Sequence, residues 1–168
     1  VAVELVTLFA TLLVGFEGTP GALEAAWKMA ILTIMGAPIA LFGFLTLYWA
    51  FRSSGGGTAE TWQGLYAMSS TMSPNLLKFS FLLVLVGFGA KTGLAPMHTW
   101  LPDAHSQAPT PVCAVLSGVK TTVPLYAVLR VLSVILRSPD ARIGQWMIVI
   151  GLLSVGIAAF LLLQVRDY

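Results

Sequence analysis

The 168-residue chain is 57% hydrophobic and 10% charged, against about a quarter charged residues in an ordinary soluble domain, which points to lipid as its solvent. A formal net charge of +2 with no basic cluster gives nucleic acid nothing to bind. A single cysteine, Cys113, excludes a disulfide framework, a cysteine-rich iron–sulfur site and a zinc cluster built within the chain.

Hydropathy and helix breakers divide the chain into five expected membrane crossings, so the fold class is all-α: a polytopic transmembrane helix bundle. The first crossing covers residues 1–16 and the second 25–51. The second contains the uncharged run 29–51, which at 23 residues exceeds the roughly 20 needed to cross the hydrocarbon. Residues 52–73, "RSSGGGTAETWQGLYAMSSTMS", read from their glycines and serines as a flexible surface connection. The third crossing starts near Asn75, and its 30-residue run to Ala104 is longer than one passage and is interrupted by "KTGLAP". The fourth covers roughly 108–136 and the fifth 143–165, where Gly151, Ser154 and Ala158 form a small-residue face suited to close helix packing. The chain opens and stops inside apolar sequence, and is read as part of one membrane transporter domain that continues beyond both ends.

Alternation puts residues 17–24 and 104–107 on one membrane face, and 52–73 with 137–142 on the other. Counting Arg52, Lys78, Arg137 and Arg142 against Lys28 and Arg166 makes the second face cytoplasmic. Glu24 and Lys28, four residues apart, are expected to pair at the surface.

Three ionisable side chains, Glu4, Lys91 and Lys120, are candidates for the hydrocarbon interior, where insertion costs about 2.5–3.5 kcal/mol each and a functional reason is the default. Glu4 precedes the loop residue Glu17 by 13 positions, Lys91 precedes Asp103 by 12, and Lys120 follows Gln107 by 13. At 1.5 Å per residue each lies about 18–20 Å from the same face, the middle of a bilayer roughly 40 Å thick. Two of the three sit beside irregular backbone. Pro96 cannot donate to the Thr92 carbonyl and Gly93 favours unwinding, which leaves Lys91 at the lip of a discontinuous helix. Pro124 frees the carbonyl of Lys120 next to the hydroxyls of Thr121 and Thr122. Broken backbone at this depth requires protein or a wet cavity around it. The competing readings are that Lys91 snorkels, that Glu4 is interfacial, and that Lys120 belongs to a structural ion pair. His98 and His105, seven apart, are expected on one helical face near the surface, as capping or hydrogen-bonding groups.

The stretch "KTGLAPMHTWLPDAHSQAPTPVCAVLSG", followed by "LYAVLR", closely resembles the antiporter-like membrane subunits of respiratory complex I, energy-converting hydrogenases and Mrp sodium/proton antiporters. "ELVTLFATLLVGF" and "ALEAAWKMAIL" look most similar to hydrogenase-4 component F. The resemblance covers nearly the whole chain, as the fifth to ninth helices of about fourteen. It implies that Glu4 and Lys91 form the charge pair that gates proton movement, and that a further lysine belongs at Thr122. Lys120 stands two positions before Thr122, about 200° around a regular helix. It also implies that the loop after Asp103 is cytoplasmic, against the charge count, and we follow the family there.

The expected function is therefore proton translocation, through a Glu4, Lys91 and Lys120 relay, by a non-catalytic membrane subunit of a hydrogenase or NADH:quinone oxidoreductase assembly. Gly93, Pro96, His98, Asp103, His105, Thr121, Thr122 and Pro124 are its supporting or helix-breaking residues. The expected setting is a prokaryotic cytoplasmic membrane. Its partners are lipid and other membrane subunits, protons or sodium are the transported ions, and no cofactor or nucleic acid is expected on this chain. The alternatives are an Mrp-type sodium/proton antiporter subunit and a quinone- or haem-binding redox subunit. The last would need paired histidines at mid-membrane, where neither histidine falls.

Overall fold

A computed structural model of the chain describes residues 2–57, 61–138 and 143–164. Arg142 and Arg166, used above in the charge count, and the terminal "VRDY" lie outside them. The described residues form eight α-helices and one π-helical turn: α1 (Ala2–Val14), α2 (Pro20–Ser53), α3 (Trp62–Met68), α4 (Pro74–Thr92), α5 (Trp100–Gln107), α6 (Thr110–Val115), the π-turn Leu116–Lys120, α7 (Thr122–Ile135) and α8 (Gly144–Gln164).

Four helical segments are long and apolar enough to cross a membrane: α2, α4, the continuous stretch Thr110–Ile135, and α8. The first expected crossing, residues 1–16, is the shorter α1, whose 13 residues rise about 20 Å. Large apolar side chains point outward along these helices, among them Leu12, Trp49, Leu152 and Leu163. Lipid solvates such a surface, so the bundle is that of an integral membrane protein.

Helix starts follow local chemistry. The Thr19 hydroxyl accepts the Ala22 N–H and Pro20 opens α2, which moves the start of the second crossing upstream of residue 25. Pro74 opens α4 in the same way, since its missing N–H is one that a first turn leaves unpaired. The 52–73 connection differs from the expectation: Thr61 caps Gly64 N–H and starts α3. Tyr66 Oη and Ser133 Oγ of α7 share a hydrogen bond of 2.6 Å, and the Arg137 guanidinium lies 5.1 Å from the Tyr66 ring. Those contacts join the 52–73 segment to the C-terminal end of α7, as alternation requires.

The bundle closes around α2 and α4. A Cβ on Gly36 would collide with the Gly87 carbonyl, and one on Gly87 with the backbone of Ala40 and Gly36. The two backbones touch, which is the service small residues perform between membrane helices. Below this seam Leu47, Phe51, Phe81 and Val84 pack with Val128 and Val131 of α7. Above it Ala10, Val14 and Met29 pack with Trp100, Ala104 and Leu116. On α8, the small-residue face is engaged only in part: Ser154 Oγ accepts the Ala95 N–H at 3.2 Å, while no described atom lies within 4 Å of a Cβ built on Gly151.

Candidate functional site: a buried ion pair at a helix break

The expected discontinuity is present, and its main cause is Gly93. That residue adopts φ +79°, the left-handed conformation open to glycine, and ends α4 one residue after Thr92. The Gly93 and Leu94 N–H groups both donate to the Gly89 carbonyl, at 3.0 and 2.9 Å, and Thr92 Oγ1 donates there as well. Residues 93–99 then run as turns, through Pro96, until α5 begins at Trp100. A helix end leaves its last carbonyls without internal partners. Ala90 finds one: Trp100 Nε1 donates to its oxygen at 2.9 Å.

Lys91 lies in the last turn of α4, and is 1% exposed. Its Nζ is 2.8 Å from Glu4 Oε1 of α1 and donates to Thr7 Oγ1 at 3.2 Å. Thr7 in turn donates to the Val3 carbonyl, so its lone pair faces the ammonium. The Glu4 side chain is 41% exposed, on the open side of α1. The two charges placed at one depth by counting therefore meet, one walled in and one with an open flank.

Lys120, 2% exposed, also points inward. Its Nζ lies 3.3 Å from the centroid of the Trp100 ring and has no hydrogen-bond partner among the described residues. Thr122, two positions on, is exposed, so the two side chains point to opposite sides, as their spacing requires. The π-turn accommodates an extra residue and changes the phase, with the Thr121 N–H reaching back five positions to the Leu116 carbonyl. Pro124, buried at the start of α7, lacks the N–H that would bind the Lys120 carbonyl. The Thr121 and Thr122 hydroxyls donate to the Ser117 and Gly118 carbonyls instead, and Thr122 is exposed.

The remaining candidates lie away from this centre. Asp103 binds Lys28 Nζ at 2.9 Å, and Glu24 binds it at 2.7 Å. That triad pins α5 to α2 where the 17–24 and 104–107 segments were expected to share a face. The histidines do not share a helix face, because His98 precedes α5 in the turn. Its Nδ1 is buried without a hydrogen-bond partner among the described residues, beside a groove of about 610 Å³ that also meets Ser154 and Ala158 of α8. The His105 carbonyl accepts from Cys113 Sγ at 3.3 Å. Sequence reading missed Thr7 and Trp100. Thr7 had a signal, standing three residues from Glu4 on the same helical face; Trp100 had none beyond its place inside the quoted motif.

The profile of the family described as NADH:quinone oxidoreductase/Mrp antiporter, transmembrane, matches residues 1–168. The chain belongs to this antiporter family. It is 39% identical over 170 residues to a hydrogenase-4 component F homolog of Methylacidiphilum infernorum, an alignment that covers 99% of the chain and 36% of the relative. It is 34% identical over 152 residues to NAD(P)H-quinone oxidoreductase chain 4 1 of a Picosynechococcus species, covering 90% and 27% respectively. With NADH-quinone oxidoreductase subunit N of Chlorobium chlorochromatii it shares 36% over 122 residues, 69% of the chain and 22% of the relative. The chain thus spans about a third or less of the length of these antiporter-family relatives.

Proposed function

We propose that this chain is the charge-pair segment of a proton-translocating, antiporter-like subunit in a redox-driven complex of the hydrogenase-4 or NADH:quinone oxidoreductase kind, in a prokaryotic cytoplasmic membrane. One observation carries the proposal: the 2.8 Å contact between Glu4 and a fully buried Lys91, made where α4 ends in mid-bundle. The printed names of the relatives support the assignment to a hydrogenase or quinone-linked assembly.

The chemistry follows from the setting. Two unit charges 4 Å apart attract by about 4 kcal/mol at an effective dielectric constant of 20. With the pair closed, carboxylate and Thr7 hydroxyl hold the ammonium in its proton-bearing form. When α1 draws Glu4 away, the ammonium faces an apolar wall and gives up its proton to the next acceptor, which we assign to Lys120. Glu4, with its open flank, is the partner free to move. The chain supplies proton-holding groups; the energy to open and close the pair comes from redox partners elsewhere in the assembly.

The test uses the full-length protein in its complex, in vesicles holding a pH-sensitive dye. Redox turnover is expected to move protons across the membrane in sodium-free buffer, and a protonophore should collapse the signal. Transport that requires sodium would move the reading to a sodium/proton antiporter. Turnover without ion movement would overturn it.

A further inference from the structure

The candidate that goes furthest is Trp100, which the relay as described does not use. It is wholly buried and among the bulkiest such side chains, and it makes two contacts of opposite kind. Its indole N–H is committed to the Ala90 carbonyl at the end of α4. Its ring face lies under the Lys120 ammonium, 3.3 Å from the centroid. The first contact fixes the ring's orientation, and the second uses it.

Among the described residues, the groups around Lys120 leave it no other partner. Lys91 of α4 acts on it with like charge. Glu4 of α1, the helix that packs against the π-turn, is engaged with Lys91. No carboxylate pairs with Lys120 among the described residues, and its Nζ finds no acceptor there. When Lys120 takes up a proton, the favourable partner for its ammonium among the described residues is the negative face of the Trp100 ring.

We propose that Trp100 is a positioning residue: it seats the protonated Lys120 on its indole face, and its tie to Ala90 registers that seat to the helix break beside Lys91. This rests on the relay reading above, which it deepens by naming what holds the proton at the second lysine. A desolvated cation–π contact of about 2 kcal/mol corresponds to a roughly thirtyfold bias toward the ammonium form. Trp100 therefore couples two helices: movement of the α4 end, where Ala90 and Lys91 adjoin, displaces the ring under Lys120.

The experiment is solid-state NMR of the full-length protein in bilayers, labelled with 15N and 13C lysine. The Lys120 side-chain resonance is assigned by its loss in Lys120→Met. Wild-type protein, taken from neutral into mildly acidic pH, is expected to develop a Lys120 ammonium whose attached protons are displaced upfield by the indole ring current. Trp100→Phe keeps a π face and should retain the ammonium and most of the displacement. Trp100→Leu should lose the displacement and lower the ammonium-to-amine ratio roughly thirtyfold. Absence of an upfield displacement in the wild type overturns the proposal without need of a variant, as does a Trp100→Leu protein with an unchanged Lys120 signal. This readout needs no transport. A normal ring-current signature in a complex that moves no protons would support the seat while removing the relay reading.

Discussion

Lys91→Met in the full-length protein abolishes coupled proton transport while leaving the complex assembled. Transport is lost because methionine has no proton to hold, and Lys91 is the buried group that Glu4 and Thr7 converge on. Assembly survives because the charge left behind is the accessible one: removing one partner of an ion pair is strongly destabilising when the other stays buried, and here the buried member is the one replaced by an apolar side chain of similar length. Glu4, left without its partner, keeps an open flank on which to be solvated. The expected result is dye response at the level of empty vesicles, with subunit content at the wild-type value. Transport near the wild-type rate contradicts the assignment.

Gly87→Val is expected to have the largest effect on the fold. Its Cβ alone would press on the backbone of Ala40 and Gly36, and backbone does not yield as a flexible side chain does. Relief requires α2 and α4 to separate, which opens the seam that positions the end of α4. Overpacking commonly costs about 1–3 kcal/mol, and this collision lies at its upper end or beyond. The folded fraction recovered in detergent should fall sharply, together with the thermal midpoint. Gly156→Ala serves as the control, since no described atom lies within 4 Å of its Cβ and alanine favours a helix by about 1 kcal/mol over glycine. Equal recovery of the two variants would mean that α2 and α4 do not touch as described.

What the sequence made legible was set by strong local terms. Charges in an apolar run and a glycine followed by a proline are costly or stiff wherever they occur, so Lys91, Glu4 and the break after Thr92 could be found by counting. Depth alone brought Glu4 and Lys91 to one level, and the packing of α1 completed the contact. Other features depend on context that counting lacks. The seven residues of α3 are too few for a periodic signal, and short helices gain stability from tertiary contacts, here Tyr66 on Ser133. The π-turn before Lys120 went unread, because it carries no compositional mark, whereas the opposite directions of Lys120 and Thr122 follow from their spacing. Gly93 was read as an aid to unwinding and is the left-handed residue that ends the helix. Trp100 is a ring that caps one carbonyl and underlies one ammonium, a role defined only once α4, α5 and the π-turn converge.

The central claim is that Glu4 and Lys91 hold each other across α1 and α4. The direct measurement is a double-mutant cycle with Glu4→Gln, Lys91→Met and the pair, read as unfolding free energy of the full-length protein in mixed micelles. Side chains in contact couple by about 0.5–3 kcal/mol, whereas independent ones add to within roughly 0.3–0.5 kcal/mol. A coupling of about 1 kcal/mol or more is predicted; strict additivity would contradict the account.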